Sequence, residues 1–228
     1  MLDEIKNKVY NANLQLNKQN LVILTWGNVS ERIGNLIIIK PSGVPYHTMT
    51  SNDMVILDLD GNIINGELKP SSDTPTHLEL YKAFPKIKGI CHTHSSFATS
   101  FAQAGRSIAC YGTTHADYFN GTIPCTRHLT KKEIENFYEI NTGKIIVETF
   151  ADKDYTSIPG VLVRSHGVFS WGLSADNAIE NAIVIEELAK MNYQTLLLNK
   201  STTSISDDLL NKHYYRKHGV NSYYGQQK

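Results

Sequence analysis

The stretch Gly89-Ile90-Cys91-His92-Thr93-His94-Ser95 constrains this chain more than any other. Side chains two apart on a strand share a face, so with Lys88 to His94 extended, His92 and His94 project together, ~7 Å apart along the backbone. Two imidazoles converging from one strand can share a cation at Zn–N distances of ~2.1 Å. A third His and a carboxylate would complete an open site of the catalytic kind. Nine His in the chain also allow a chance H-x-H pair of core or surface histidines, so the neighbouring stretches decide.

At 228 residues the chain is long enough for one substantial core, and we read residues 1–228 as one domain without repeats, low-complexity segments or a dividing linker. Lys+Arg and Asp+Glu are equal at 22 each, so no overall charge favours nucleic acid or an acidic membrane surface. Any anion must be bound locally. Cys91, Cys110 and Cys125 form an odd, widely spaced trio that suits a reducing cytoplasm and small buried side chains better than a disulfide framework. No apolar run approaches ~20 residues and Met1-Leu2-Asp3-Glu4 begins no signal peptide, which predicts a cytoplasmic protein without a membrane span.

Leu2, Ile5, Val9, Ala12 and Leu16 recur at helical spacing and predict an amphipathic N-terminal helix. Ile33-Gly34-Asn35-Leu36 predicts a hairpin turn into the strand Leu36 to Ile39, ended by Lys40-Pro41-Ser42-Gly43. Gly27-Asn28 and Ser42-Gly43 each set exposed backbone N–H groups beside a short polar side chain; both either hold an anion or are ordinary turns. Lys40 would add a cation. Val55 to Leu59 reads as a strand, Asp60-Gly61-Asn62 as its turn and Ile63-Ile64 as the return. Pro75 fits the first turn of a helix capped by Thr74 and stopped by Pro85. Ser71, Ser72 and Asp73 then precede a helix N-terminus, where hydroxyls beside free N–H groups suit phosphate, and Asp73 either turns toward a metal or only favours the helix dipole.

Ser96 to Gln103 predicts a helix closed by Gly105, and Tyr111 to Tyr118 a polar loop in which Asp117 is a candidate acid/base. Lys131 to Glu139 reads as helix, Lys144 to Phe150 as strand and Asp152 to Pro159 as loop. Val161 to Arg164 reads as a strand delivering His166, either as a third ligand or as a hydrogen-bonded loop residue. Ser174 caps the longest helix, which has a broad apolar face from Ala178 to Ala189. Asp207 to Lys217 predicts a last helix containing His213, and the aromatic, basic tail through Tyr223 and Tyr224 either docks elsewhere or packs on its own subunit.

Taken together, Thr25-Trp26-Gly27-Asn28-Val29-Ser30, Lys40-Pro41-Ser42-Gly43-Val44, Lys69 to His77, His92-Thr93-His94, Gly112 to Phe119, Gly121 to Arg127, Ser165-His166-Gly167 and Lys212 to Gly225 resemble the class II aldolase and adducin-head superfamily. Thr113-Thr114-His115-Ala116-Asp117-Tyr118-Phe119, His213 and Tyr224 resemble its L-ribulose-5-phosphate 4-epimerase branch. The resemblance implies an α/β three-layer sandwich, a mostly antiparallel central sheet flanked by helices. It also implies a ring-like homotetramer with active sites between subunits.

As metal the resemblance implies Zn²⁺, or Mn²⁺ or Co²⁺ in its place, on His92, His94 and His166, with Asp73 as fourth ligand or nearby carboxylate. Asn28, Lys40, Ser42, Gly43, Ser71 and Ser72 match its phosphate pocket. Asp117 and Tyr224 match its acid/base pair, Tyr224 reaching in from a neighbouring subunit, and Thr113, Glu139 and His213 match supporting residues. The implied activity is epimerisation of a pentulose phosphate by reversible carbon–carbon cleavage. An aldolase of the fuculose-phosphate type is the nearest rival and a non-catalytic scaffold like the adducin head a more distant one.

Overall fold

The computed structural model describes residues 2–225. Its strands are β1 (Asn28–Ile33), β2 (Leu36–Ile39), β3 (Val55–Asp58), β4 (Ile63–Asn65), β5 (Gly89–Thr93), β6 (Gly160–Val163) and β7 (Gly167–Gly172). They form one sheet in the order β4-β3-β2-β1-β5-β7-β6, every pairing antiparallel. The helices are α1 (Leu2–Lys18), α2 (Thr74–Ala83), α3 (Ser96–Ala104), α4 (Thr113–Ala116), α5 (Lys131–Glu135), α6 (Tyr138–Thr149), α7 (Ala175–Leu198) and α8 (Asp207–His218). Among the described residues no helix is long and apolar enough to cross a membrane.

Ile37, Ile38 and Ile39 are all buried, so β2 is covered on both faces. Each such side chain contributes roughly 2 kcal/mol on leaving water, which only a three-layer arrangement collects. On one face Val9, Ala12 and Leu16 of α1 and Ile179 and Ala182 of α7 pack on Val29, Ile38, Ile56 and Cys91. On the other, Leu80 and Tyr81 of α2 and Ile146 of α6 pack with Ile37, Ile90, Phe169 and Trp171, a cluster that extends to Phe101 of α3 and Ile185 of α7. Ile90 and Cys91 therefore point to opposite layers. His92 lies on the Ile90 side, the side of α2 and α6.

The predicted hairpins, N-terminal helix, longest helix and final helix are present, with Gly105 closing α3 in the left-handed conformation (φ 65°). Four expectations are corrected. Lys144 to Phe150 is not a strand: Lys144 to Thr149 belongs to α6, and Phe150 is its C-cap. Ile145-Ile146-Val147 has no period of its own. Contact with α2 decides it: a Cβ on Gly143 would lie 2.5 Å from Glu79 Cβ, so the two helices touch at backbone distance. Lys131 to Glu139 is not one helix but breaks at Asn136 and Phe137 (φ 58°). The loop Tyr111 to Tyr118 contains the helical turn α4, and Asp73, not Thr74, occupies the N-cap of α2. Strand β7, which has no counterpart in the sequence reading, is buried at all six positions and pairs β5 along its length.

Candidate active site

Strand pairing assembles the histidines. Thr93 pairs Val168, so the end of β5 and the start of β7 lie side by side, and His94 meets the turn carrying Ser165 and His166. That turn is tight: Ser165 takes φ 60°, and a Cβ on Gly167 would lie 2.7 Å from Thr93 O. Only glycine lets the ladder close there. The ring centroids of His92, His94 and His166 stand 4.8, 4.9 and 5.1 Å apart, and their ligating nitrogens all lie within 4.8 Å of one another.

His92 Nδ1 donates to Val168 O at 2.8 Å, which leaves its Nε2 as an acceptor 3.1 Å from His94 Nε2. Two ligands of one tetrahedral ion stand ~3.4 Å apart at Zn–N of ~2.1 Å, so the pair has the spacing of ligands to a common cation. His92 is 1% exposed and stacks on Phe169, with centroids 4.1 Å apart. Burial, with His92 beside it, lowers the His94 imidazole to about 4, and burial followed by the neighbouring imidazoles pushes His166 well below its ordinary value. Both rings are neutral at pH 7, the form that ligates a metal.

Asp73 makes no side-chain cap to α2. Its Oδ2 accepts from Asn28 Nδ2 at 2.7 Å and lies 3.9 Å from His92 Nε2. Burial works to raise this carboxyl, but His92, His77, His166 and Asn28 outweigh it and hold it below the ordinary carboxylate range. A carboxylate is thus turned toward three clustered imidazoles, a donor set suited to a divalent transition metal.

Lys40 lies just past the end of β2, 2% exposed, its Nζ 3.3 Å from Pro41 O and 3.4 Å from Thr25 O. Burial lowers it to about 8, so it stays mostly charged at neutral pH. Among the described residues no carboxylate pairs with it. A buried cation without a counter-ion is a place for an anion. Ser71 Oγ, held 3.0 Å from Asn28 Nδ2, and Ser42, Gly43 and Ser72 line the same cleft of about 580 Å³ as Lys40, Asp73 and the three histidines. A Cβ on Gly43 (φ 68°) would meet nothing within 4 Å, so the backbone there is open.

Glu139 also lines this cleft, and its backbone oxygen accepts from Thr76 Oγ1 at 2.7 Å. Asp117, Thr113, His213 and Tyr224 do not line it. They gather elsewhere on the same chain. Asp117 follows α4, which Thr113 opens, and its N–H donates to Thr113 O at 2.9 Å. Its carboxylate meets His213 Nδ1 at 3.1 Å, and the Tyr224 ring lies over the Arg216 guanidinium at 5.0 Å. Three residues went unassigned in the sequence reading. The Tyr138 hydroxyl lies 3.2 Å from His166 Nδ1, and the Trp26 ring stands 6.2 Å from His94. Arg216 binds Asp117; its spacing of three from His213 on α8 was the available signal, since such residues share a helix face. Tyr138 had none.

Residues 7–193 match the Class II Aldolase and Adducin N-terminal domain, and the chain belongs to that family. An L-fuculose 1-phosphate aldolase superposes with a TM-score of 0.79 at 22% identity, over 93% of this chain and 95% of its own. YgbL of Klebsiella pneumoniae, assigned provisionally as an aldolase/epimerase/decarboxylase, gives 0.74 at 17% identity over 93% of this chain and 98% of its own. A sugar-phosphate aldolase from Thermotoga maritima gives 0.64 at 18% identity, over 86% and 96%. At these identities the likeness is one of fold.

Proposed function

We propose that the chain is a metal-dependent L-ribulose-5-phosphate 4-epimerase, interconverting L-ribulose 5-phosphate and D-xylulose 5-phosphate. The observation that carries this reading is the single cleft joining three imidazoles and a carboxylate to an uncompensated buried lysine. Such a cleft suits a substrate with a phosphate at one end and oxygens for a cation at the other. His92, His94 and His166 with Asp73 would hold Zn²⁺, or Mn²⁺ or Co²⁺, which when bound supplies Lewis-acid stabilisation for negative charge on the ketone fragment.

The C4 stereocentre of this ketose carries no acidic hydrogen, so deprotonation at carbon cannot invert it. Loss of the C4 hydroxyl proton with cleavage of C3–C4 can, giving glycolaldehyde phosphate and the enediolate of dihydroxyacetone. Lys40, Ser42, Gly43, Ser71, Ser72 and Asn28 hold the phosphate, which keeps the aldehyde in the cleft while its carbonyl turns. Re-addition to the other face forms the epimer. Asp117 and Tyr224, one for each face, move the hydroxyl proton. Because neither lines this chain's own cleft, they serve a neighbouring subunit's in a homotetramer, with Thr113 and His213 beside them and Glu139 within the cleft.

The fold likeness to an L-fuculose 1-phosphate aldolase favours a second reading, in which the fragments are released. A scaffold role is disfavoured by retention of all three histidines and Asp73. An NMR time course of the metal-loaded protein with L-ribulose 5-phosphate separates them. Accumulating D-xylulose 5-phosphate supports the epimerase; free dihydroxyacetone and glycolaldehyde phosphate mean an aldolase; no change sends the search to other sugar phosphates.

A further inference from the structure

A cavity of about 410 Å³ lies at the far end of β5 and β7 from the histidines, where Ile87 leads into β5 and Trp171 and Gly172 end β7. It shares no lining residue with the cleft. Helix α8 supplies one wall through Tyr214, Lys217 and His218, and the start of α7 another through Asn177, Glu180 and Asn181. The volume is within the roughly 300–1,000 Å³ of small-molecule sites.

The floor is fixed by the fold. Trp171, 1% exposed, donates from Nε1 to Tyr155 O at 2.8 Å, and the Tyr155 ring stacks on Phe84 with centroids 4.3 Å apart. Asn181 Nδ2 donates to Trp171 O at 2.8 Å, and Asn177 Oδ1 accepts from the Leu173 N–H at 3.2 Å. The groups left over are phenols and cations. Among the described residues nothing bonds to the hydroxyls of Tyr118, Tyr155 or Tyr214, although all three side chains are half-buried.

The Lys217 ammonium is held 3.4 Å from the Tyr118 ring centroid, and neither it nor Lys86 pairs with a described carboxylate. Asp154, on whose charge Lys86 acts from further off, spends its Oδ1 on the Thr156 N–H and hydroxyl at 2.8 and 2.6 Å. Glu180 is the one carboxylate among the lining residues, so the two ammonium groups outnumber it. A cation held on a ring without a counter-ion favours an anion, and half-buried rings around it favour a planar, apolar body. Inorganic phosphate has only the first property and a neutral arene only the second.

We propose that this cavity is a second ligand site, which takes a planar aromatic ring carrying an anionic group. An aromatic carboxylate and a nucleoside monophosphate share that chemistry. The ring lies among the tyrosines and the anionic group reaches Lys86 and Lys217. Because α8 is one wall and buries no residue of its own, a ligand here joins α8 to the body of the chain and stabilises its docking.

The test is calorimetric titration of the metal-loaded, assembled protein with 1-naphthoate and with adenosine 5′-monophosphate, inorganic phosphate being present throughout to occupy the Lys40 cleft. At least one probe is expected to bind once per subunit with a Kd below about 1 mM. Which probe binds tells the aromatic acid from the nucleotide. Lys86→Met and Lys217→Met should each weaken binding about tenfold and Tyr214→Leu about fivefold, whereas Lys40→Met leaves it unchanged. Lys86 is exposed, so Lys86→Met keeps the fold and carries the test even if Tyr214→Leu does not assemble. Amide exchange in α8 should slow in the bound protein. Binding of neither probe overturns the proposal, as does binding that Lys40→Met abolishes and Lys86→Met leaves intact, which places the probe in the cleft.

Discussion

The histidine cleft and the Asp117 cluster are built in opposite ways. In the cleft the side chains are fixed by backbone: His92 is tied to a strand carbonyl, His94 and His166 are set by the β5–β7 ladder, and Asp73 rides on a helix start. Around Asp117 the fixing is by charge, between a one-turn helix and the exposed face of α8, which buries no residue. The cleft also lies within residues 7–193, whereas α8 and the tail follow them. This division sets the cleft of the matched domain apart from a cluster that joins Asp117, inside the match, to a helix beyond it. It also separates what should fail when each is cut.

The largest effect is expected in the cleft. His94→Ala leaves two imidazoles and should lose bound metal and on the order of 10³-fold or more in turnover, with oligomer size intact; elemental analysis reads the metal, and full occupancy would remove His94 from the ligand set. In the second region Tyr224→Phe should keep both metal and assembly yet slow epimerisation on the order of 100-fold, and unchanged kinetics would strike Tyr224 from the chemistry. Gly27→Ala probes how tightly the cleft rim is packed. At φ 70° its Cβ would stand 2.7 Å from both His92 O and Val22 Cγ1, so roughly 2 to 4 kcal/mol of stability should go, read by denaturant titration.

Lys40→Met should raise KM about tenfold or more while leaving the melting temperature level or higher, since a buried ammonium no longer needs solvation. In the wild type, Lys40 loses its charge as pH rises through about 8, so substrate affinity should weaken above that value and the Met variant should lack this limb. The smallest effect separates the regions by acid. The Asp117 carboxyl sits below its ordinary 3.8 in the folded chain, so its contribution to docking α8 is complete above that value and is lost as pH falls through the lower folded one. Amide exchange in α8 should therefore quicken below about pH 3.8 before exchange in β5 does.

The cleft could be read from sequence because its signals are local. Alternation put His92 and His94 on one face, Pro75 marked the helix start beside Asp73, and a β-run ended at His166. What brings His166 to the pair was not readable: β7 is buried on both faces and carries no strand period. Lys144 to Phe150 failed for a related reason, a short apolar run whose conformation contact with α2 decides. In the Asp117 cluster the bond from His213 spans 96 residues and that from Arg216 spans 99, so no spacing rule joins them. Resemblance alone placed His213 there. The tail, open between docking elsewhere and packing on its own chain, here folds back on α8 through Arg216 and Lys212.

The claim that most needs testing is that the two regions of different subunits make one site. His94→Ala and Asp117→Ala are each prepared as inactive enzymes, dissociated together and reassembled as mixed oligomers. In a mixed ring a cleft from the Asp117→Ala chain can meet the intact Asp117 cluster of a His94→Ala neighbour, so activity should return to about a quarter of wild type at equal mixing. A mixture that assembles, carries metal and stays as inactive as its parents would contradict a shared site and place both regions' functions within single subunits.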